Sequence, residues 1–147
     1  MKPIQGIKRR VVNLNDAVFE PFENEVGTGL LQLNPNVKCG IGFYVYKMEP
    51  GATSTPHHHI GAEEFYIISG DLVDNDGTEY RAGDLVWLDA GTEHSSTTKT
   101  GCTIVVFSEK AKRRHYPIKI ASGQTRDTLA GFAAANPEQA QHTIAAA

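Results

Sequence analysis

A chain of 147 residues, 40% of them hydrophobic, is long enough for one domain around one core but too short for two large domains. Its formal net charge of -3 excludes a strongly basic surface, so we expect neither nucleic acid nor a membrane as a partner. No apolar run approaches the roughly 20 residues of a membrane-spanning helix, and the first residues lack the apolar segment of a secretory signal. These features predict a cytoplasmic protein.

Between residues 12 and 110, short runs rich in β-branched and aromatic residues alternate with turn residues roughly every eight to twelve positions. This pattern is typical of an all-β domain, and Asp76-Gly77 has the signature of a hairpin tip. A single-domain β-barrel or sandwich is therefore predicted. Its expected strands are Gly29–Leu33, Gly40–Met48, Glu63–Ser69, Leu85–Leu88, His94–Thr98 and Cys102–Ser108.

The N-terminal segment, residues 1–25, precedes the predicted barrel at 26–110. Within this segment Val11–Leu14 has the composition of an edge strand, and Ile118–Ile120 beyond the barrel has the same character. Strands with unpaired edges can extend the sheet of a second copy. We therefore expect a homodimer.

Residues 111–147 are predicted to be a charged linker followed by a short C-terminal tail. The Lys/Arg cluster at 110–114 lies beside Glu109 in an acidic chain, which favours a solvated linker over a nucleic-acid site. From Thr125 the composition favours helix, and Asn136-Pro137 has the signature of a helix start. No function is assigned to the linker.

Ligand-type residues are concentrated between positions 57 and 63. In an extended segment the side chains alternate, so His57 and His59 project to one side while His58 points away. Glu63 then opens an apolar strand, where a carboxylate facing the interior is costly unless a metal or a proton compensates it. His94 follows a later turn and strand, in the position of a ligand from an adjacent strand.

A lone histidine is more often structural than functional, and a histidine triplet also occurs on surfaces. Here the triplet is followed by a turn, a glutamate and a strand inside the predicted barrel, which favours a metal site. Imidazole nitrogen with one carboxylate oxygen suits transition metals better than calcium or magnesium. The sequence predicts one divalent transition metal, open among iron, manganese, cobalt, nickel, copper and zinc, bound by His57, His59, Glu63 and His94.

At this point the residues resemble the cupin superfamily. The first cupin motif is a glycine, five residues, His-x-His, three or four residues, glutamate, six residues and glycine. Gly51, His57, His59, Glu63 and Gly70 match it at every position. The resemblance implies a jelly-roll β-barrel with the metal inside.

The second cupin motif matches less completely. Gly83, Gly91 and His94 stand where its two glycines and its histidine are expected, but Asp89 replaces its proline and Thr98 its final asparagine. These departures touch a turn and not the ligands. The two motifs together carry the resemblance over residues 26–108.

The segment from His59 to Gly83 is similar to a narrower group, the ChrR-like cupins. That group includes the zinc-binding domain of an anti-sigma factor and small dioxygenases that cleave acetylacetone or dihydroxyacetophenones. The resemblance implies that Glu63, rather than Glu64, is the liganding carboxylate. Strand alternation agrees, because Glu63 and Phe65 then face inward with the metal.

Four protein ligands leave open positions on a metal that accepts five or six, which favours catalysis. We expect iron(II) or zinc ahead of manganese or nickel. If the metal is ferrous iron, the resemblance implies a dioxygenase that cleaves a small enolisable dicarbonyl or hydroxyketone. Catalytic Glu63 or a bound hydroxide would then accept the proton. Two alternatives remain open: a non-catalytic zinc-binding sensor of the anti-sigma type, and a metal-dependent isomerase, decarboxylase or lyase. In the last case the bases could be Tyr44, Tyr46 or Tyr66.

A small, partly apolar organic substrate is expected in a pocket beside the metal. Phe65, Ile67 and one alternate set of the strand from Phe43 to Met48 would line this pocket, with Trp87 or Ser96 completing it.

Overall fold

The computed structural model describes residues 9–22, 25–114, 118–119 and 125–126, and every regular element among them is a β-strand. In chain order the strands are β1 Glu20–Pro21, β2 Thr28–Leu31, β3 Gly42–Met48, β4 His57–His59, β5 Glu63–Asp74, β6 Glu79–Arg81, β7 Leu85–Leu88, β8 Glu93–His94, β9 Ser96–Thr97, β10 Cys102–Ser108, β11 Lys112–Arg114, β12 Ile118–Lys119 and β13 Thr125–Arg126. The predicted all-β class is confirmed. The part of the chain that the structure describes has no helix able to cross a membrane.

Two sheets build the barrel. The larger has the order β1-β2-β3-β10-β5-β6, and β7 and β9 also pair with the long strand β5. The smaller has the order β11-β4-β8 and carries the histidine triplet at its centre. All of these ladders are antiparallel, as a jelly roll requires.

Side chains alternate along the central strands. In β5, Glu63, Phe65 and Ile67 are buried, whereas Glu64 and Tyr66 are exposed, as predicted. The inward residues meet those of β3 and β10 in one core, which contains Phe22, Leu30, Tyr44, Tyr46, Met48, Ala52, Phe65, Ile67, Leu72, Cys102, Ile104 and Val106. These side chains form the hydrophobic core of the barrel.

A β-bulge changes the phase of strand β5. In its ladder with β10, Ile67 and Ser69 face consecutive residues, so Ile68 is an extra residue. Before the bulge the odd-numbered residues are buried, and after it Leu72 and Asp74 are buried instead. The bulge therefore turns the Asp74 carboxylate into the barrel.

Gly70 follows this bulge at a close approach of two backbone segments. Its φ is 86°, and a Cβ atom there would lie 1.8 Å from the carbonyl oxygen of Gly101. Both facts require glycine, which gives a physical reason for the last glycine of the first cupin motif.

The interpretation of residues 110–114 as a solvated linker is wrong for Lys112–Arg114. These three residues form β11, which pairs with β4 and closes its free edge. Their side chains are only partly exposed. Lys112 and Arg114 each contact a buried carboxylate, Glu63 and Glu25 respectively, which stabilises their cationic groups inside the barrel.

Three further expectations concern the ends of the chain. Val11–Leu14 forms no strand, and the edge strand of the N-terminal segment is Glu20–Pro21 instead. The expected edge strand at Ile118–Ile120 is found at Ile118–Lys119, which pairs with Thr125–Arg126, so the helix does not begin at Thr125. The predicted helix start at Asn136-Pro137 lies outside the described residues, and the homodimer stays a prediction.

Candidate metal centre

Three strands bring the four predicted ligands together. His57 and His59 are alternate residues of β4, and His94 on β8 is the register partner of His57. Glu63 enters from the first position of β5, after the turn that follows β4. One ligand atom from each of the four residues lies within 4.8 Å of the others, which is a group that could hold a metal ion. The residues selected from spacing therefore converge.

Backbone and hydroxyl acceptors orient the two histidines of β4. The Nδ1–H of His57 donates to the carbonyl oxygen of Thr55 at 2.8 Å. The Nδ1 of His59 lies 2.9 Å from the Thr92 hydroxyl, which itself donates to the carbonyl oxygen of Asp89 and so accepts from the ring. Because Nδ1 carries the proton in both rings, the Nε2 lone pairs face the centre.

A carboxylate orients the third histidine. Nδ1 of His94 lies 3.0 Å from Oδ2 of Asp74. The same oxygen accepts a hydrogen bond from the Tyr80 hydroxyl, and Oδ1 accepts one from the Ser96 hydroxyl. Burial raises the pKa of Asp74, but the hydrogen bonds from His94, Ser96 and Tyr80 outweigh this effect and the net direction is downward. Asp74 is thus a charged acceptor, and it leaves Nε2 of His94 for a metal.

The inward atoms lack polar partners. Nε2 of His57, His59 and His94 is buried without a hydrogen bond from any described residue, and Nε2 of His59 lies 3.7 Å from Oε1 of Glu63. Burial lowers the pKa of His57 far below its usual range and that of His59 to about 4. Neutral imidazoles with free lone pairs are what a transition metal binds, so the donor set fits such an ion.

Lys112 reaches the site from β11. Its Nζ lies 2.5 Å from Oε2 of Glu63 and donates to the Tyr44 hydroxyl at 3.2 Å, and its side chain is 11% exposed. Burial acts to lower the pKa of Lys112, but the neighbouring Tyr44 and Glu63 outweigh it and raise the pKa. A charged lysine therefore lies against the predicted carboxylate ligand.

A second buried ion pair lies beside the first. Arg114 Nη1 contacts Oε1 of Glu25 at 2.5 Å, with the Glu25 side chain 1% exposed. The same carboxylate accepts hydrogen bonds from the hydroxyl groups of Tyr46 and Thr28 and from the Thr55 amide. Burial and the Glu25 charge raise the pKa of Tyr46. The hydrogen bond from the Thr55 amide ties this network to the backbone two residues before His57.

A cavity of about 40 Å³ adjoins three of the predicted ligands, His57, Glu63 and His94. It has room for a few waters or a small ligand group. Its wall is mainly apolar or aromatic and consists of Phe22, Glu25, Tyr44, Tyr46, Met48, Ser54, His57, Glu63, Phe65, Leu72, His94, Ser96, Ile104, Val106, Lys112 and Arg114. The expected contributions of Phe65, Ser96 and the inward set of β3 are confirmed, but Trp87 is 59% exposed and points outward.

Four residues of this site were missed by sequence reasoning: Glu25, Asp74, Lys112 and Arg114. Glu25 and Arg114 are separated by 89 positions, so no local pattern links them. The Lys/Arg cluster was visible, but its partners were not. Asp74 was hidden by the bulge, because strict alternation from Glu63 places it on the outer face.

Replacing Asp74 with asparagine should weaken metal binding about 10- to 100-fold, because an amide holds His94 without a charge and can also turn its NH₂ group toward the ring. Competition with a chromophoric chelator measures this affinity. Asp76→Asn is the matched control, since Asp76 is exposed on the hairpin tip and accepts only from Thr78 there. Equal affinities in the two variants would contradict the orienting role of Asp74.

Comparison with known proteins agrees with this architecture. Among solved structures, the polyketide cyclase RemF from Streptomyces resistomycificus is 20% identical, with a TM-score of 0.60 over 76% of this chain and 89% of that chain. A putative acetylacetone dioxygenase from Methylibium petroleiphilum is 15% identical, with a TM-score of 0.56 over 82% and 87%. The Rhodobacter sphaeroides anti-sigma ChrR is 18% identical, with a TM-score of 0.51 over 64% of this chain and 49% of that chain. At these identities the likeness shows the fold.

The sequence itself gives the narrower assignment. No curated protein matches the chain significantly. The family model of the ChrR Cupin-like domain matches residues 7–112, which cover both sheets of the barrel up to the first residue of β11. The chain therefore belongs to the ChrR cupin-like family.

Proposed function

We propose that this cupin is an iron(II)-dependent dioxygenase that cleaves a carbon–carbon bond in a small enolisable dicarbonyl or hydroxyketone. The observation that carries the proposal is the convergence of three imidazoles and the Glu63 carboxylate, with His57, Glu63 and His94 lining a mainly apolar cavity. Such a site combines a metal that has open coordination positions with an apolar surface against which a hydrocarbon group can pack. The reaction consumes one dioxygen per substrate and places one of its oxygen atoms in each product: a carboxylate and a 1,2-dicarbonyl compound from a 1,3-dicarbonyl, or two carboxylates from an α-hydroxyketone.

The residues of the chain have distinct tasks in this reaction. His57, His59, His94 and Glu63 hold the ion, which when bound supplies a Lewis acid and the means to react with dioxygen. Glu63 also accepts the proton that the substrate loses on enolisation, because its carboxylate lies at the cavity wall. The apolar side chains of the cavity, led by Phe65 and Met48, exclude water from the enolate.

Two structural neighbours have names that match this reaction. They are the putative acetylacetone dioxygenase already described and an acetylacetone dioxygenase from Acinetobacter johnsonii, 14% identical with a TM-score of 0.53. That analogy is one of fold alone. The proposal therefore rests on the chemistry of the site.

Oxygen uptake tests the proposal directly. The protein, purified without oxygen and loaded with iron(II), is expected to consume about one dioxygen per molecule of a 1,3-diketone or α-hydroxyketone. The zinc-loaded protein should consume none, because zinc has no redox chemistry. His58→Ala is the matched variant that should keep full uptake, since His58 points away from the ligands.

The outcome separates the three functional classes. Substrate turnover that continues without oxygen would replace the dioxygenase by a non-oxidative isomerase, decarboxylase or lyase. Tightly held zinc, with no turnover of any such substrate, would favour the sensor.

A further inference from the structure

The ammonium group of Lys112 lies at the cavity wall and touches one of the predicted metal ligands. It contacts Glu63 Oε2 at 2.5 Å and the Tyr44 hydroxyl at 3.2 Å. Strand β11 holds it there, because Lys112 is the register partner of His59 on β4. The sheet therefore fixes the position of this buried ammonium group relative to any molecule that binds in the cavity.

Two ion pairs lie at the cavity wall. Glu63 pairs with Lys112, and Glu25 pairs with Arg114. A divalent ion bound by the histidines and Glu63 adds two positive charges, of which the nearby Asp74 carboxylate offsets one. Uncompensated charge is costly in a site shielded from water. The metal-loaded cavity therefore favours a ligand that brings negative charge.

Lys112 is the group that can meet this negative charge. Once Glu63 gives electron density to a divalent ion, its attraction for the ammonium group falls. The ammonium group and the Tyr44 hydroxyl then remain as two neighbouring donors at the wall of the same cavity. Two donors beside a metal can bind one anionic oxygen through short, charge-assisted hydrogen bonds.

We infer that Lys112 and Tyr44 form a subsite for an anionic oxygen of the substrate, and that the substrate binds as the enolate of a 1,3-dicarbonyl compound. The inference rests on the proposed function and adds that the substrate binds to this site as an anion. The mainly apolar wall favours an enolate, whose charge lies between carbon substituents, over a small hydrated carboxylate.

Equilibrium titration of the zinc-loaded protein without oxygen tests the subsite apart from any turnover. The probes are acetylacetone, which forms an enolate, and 3,3-dimethylpentane-2,4-dione, which has the same two carbonyl groups but cannot. The wild-type protein should bind acetylacetone clearly more tightly. Lys112→Met should weaken acetylacetone binding about 10- to 100-fold and leave the dimethyl compound unaffected, because only the enolate pairs with the ammonium group.

Two lysine variants are the controls. Lys110→Met, at an exposed position two residues earlier, should bind both probes as the wild type does. Lys112→Arg keeps the charge and should retain most of the acetylacetone affinity. Tyr44→Phe, which keeps Lys112, should lose several-fold and provides a reading if Lys112→Met does not fold.

Zinc affinity gives a second readout that a purely structural lysine would not produce. Lys112→Met should bind zinc at least as tightly as the wild type, because Lys112 competes with the ion for Glu63. A variant that loses zinc, or one that binds acetylacetone within about twofold of the wild type, would overturn the subsite. An iron-loaded protein that binds the enolate but consumes no oxygen would instead contradict the dioxygenase and leave the subsite standing.

Discussion

Replacing His57 with alanine is expected to reduce bound metal from about one ion per chain to less than about a tenth, because one of three convergent imidazoles is lost. Because the ion binds the folded wild type and not the unfolded chain, it stabilises the fold by about 2.7 kcal/mol when the ion concentration is 100 times the dissociation constant. His57→Ala should therefore lose the metal-induced rise in melting temperature as well. Elemental analysis and thermal unfolding, with and without added metal, measure the two effects.

The histidine triplet contains its own control. His58 lies between two predicted ligands on β4, but it faces the other way and is only partly buried. His58→Ala should keep both the ion and the metal-induced stabilisation. If His57→Ala and His58→Ala held equal amounts of metal, the assignment of ligands would be wrong.

Replacing Glu25 with glutamine is expected to destabilise the metal-free fold by about 3 kcal/mol. The change removes the Glu25 charge from the Arg114 guanidinium, whose side chain is 12% exposed, and losing one partner of a buried ion pair is costly. It also weakens the acceptor for the Tyr46 hydroxyl and the Thr55 amide. Urea unfolding at equal protein concentration measures the loss.

Glu49→Gln is the matched control for this pair. Glu49 also faces a cation, Lys47 at 3.8 Å, but both side chains are largely exposed, so the change should cost less than about 0.5 kcal/mol. The double variant Glu25→Gln with Arg114→Met should recover part of the loss, because it also removes the positive charge that Glu25 offsets. Similar losses in Glu25→Gln and Glu49→Gln would show that the buried pair contributes nothing.

The strands and the four ligands could be predicted because both depend on local patterns. Runs of β-branched and aromatic residues between turn residues specified β3, the first half of β5, and β10. Alternation of side chains placed His57 and His59 on one side of an extended segment and agreed with Glu63 as the inward carboxylate. His94 required only a later strand that pairs with β4. In each case the physical cause lies within a few residues of its effect.

The remaining parts of the site depend on a register shift and on contacts between residues that are far apart in the sequence. The inward turn of Asp74 follows from one extra residue at Ile68, which shifts the phase of β5 and which no alternation rule anticipates. The burial of Lys112 follows from carboxylates that precede it by many positions. A run of Lys and Arg residues is normally solvated, so the sequence alone predicts that residues 110–114 are exposed on the surface.

The position of β4 between β8 and β11 also sets an order of events during synthesis of the chain. His57 and His59 emerge early, but their partner strands arrive with His94 and then with Lys112. An ion that meets the nascent chain before His94 emerges finds two histidines on an unpaired strand, without the third imidazole. Complete metal loading must therefore follow the arrival of β8, and a chain that ends before β11 would still leave one edge of the histidine strand open.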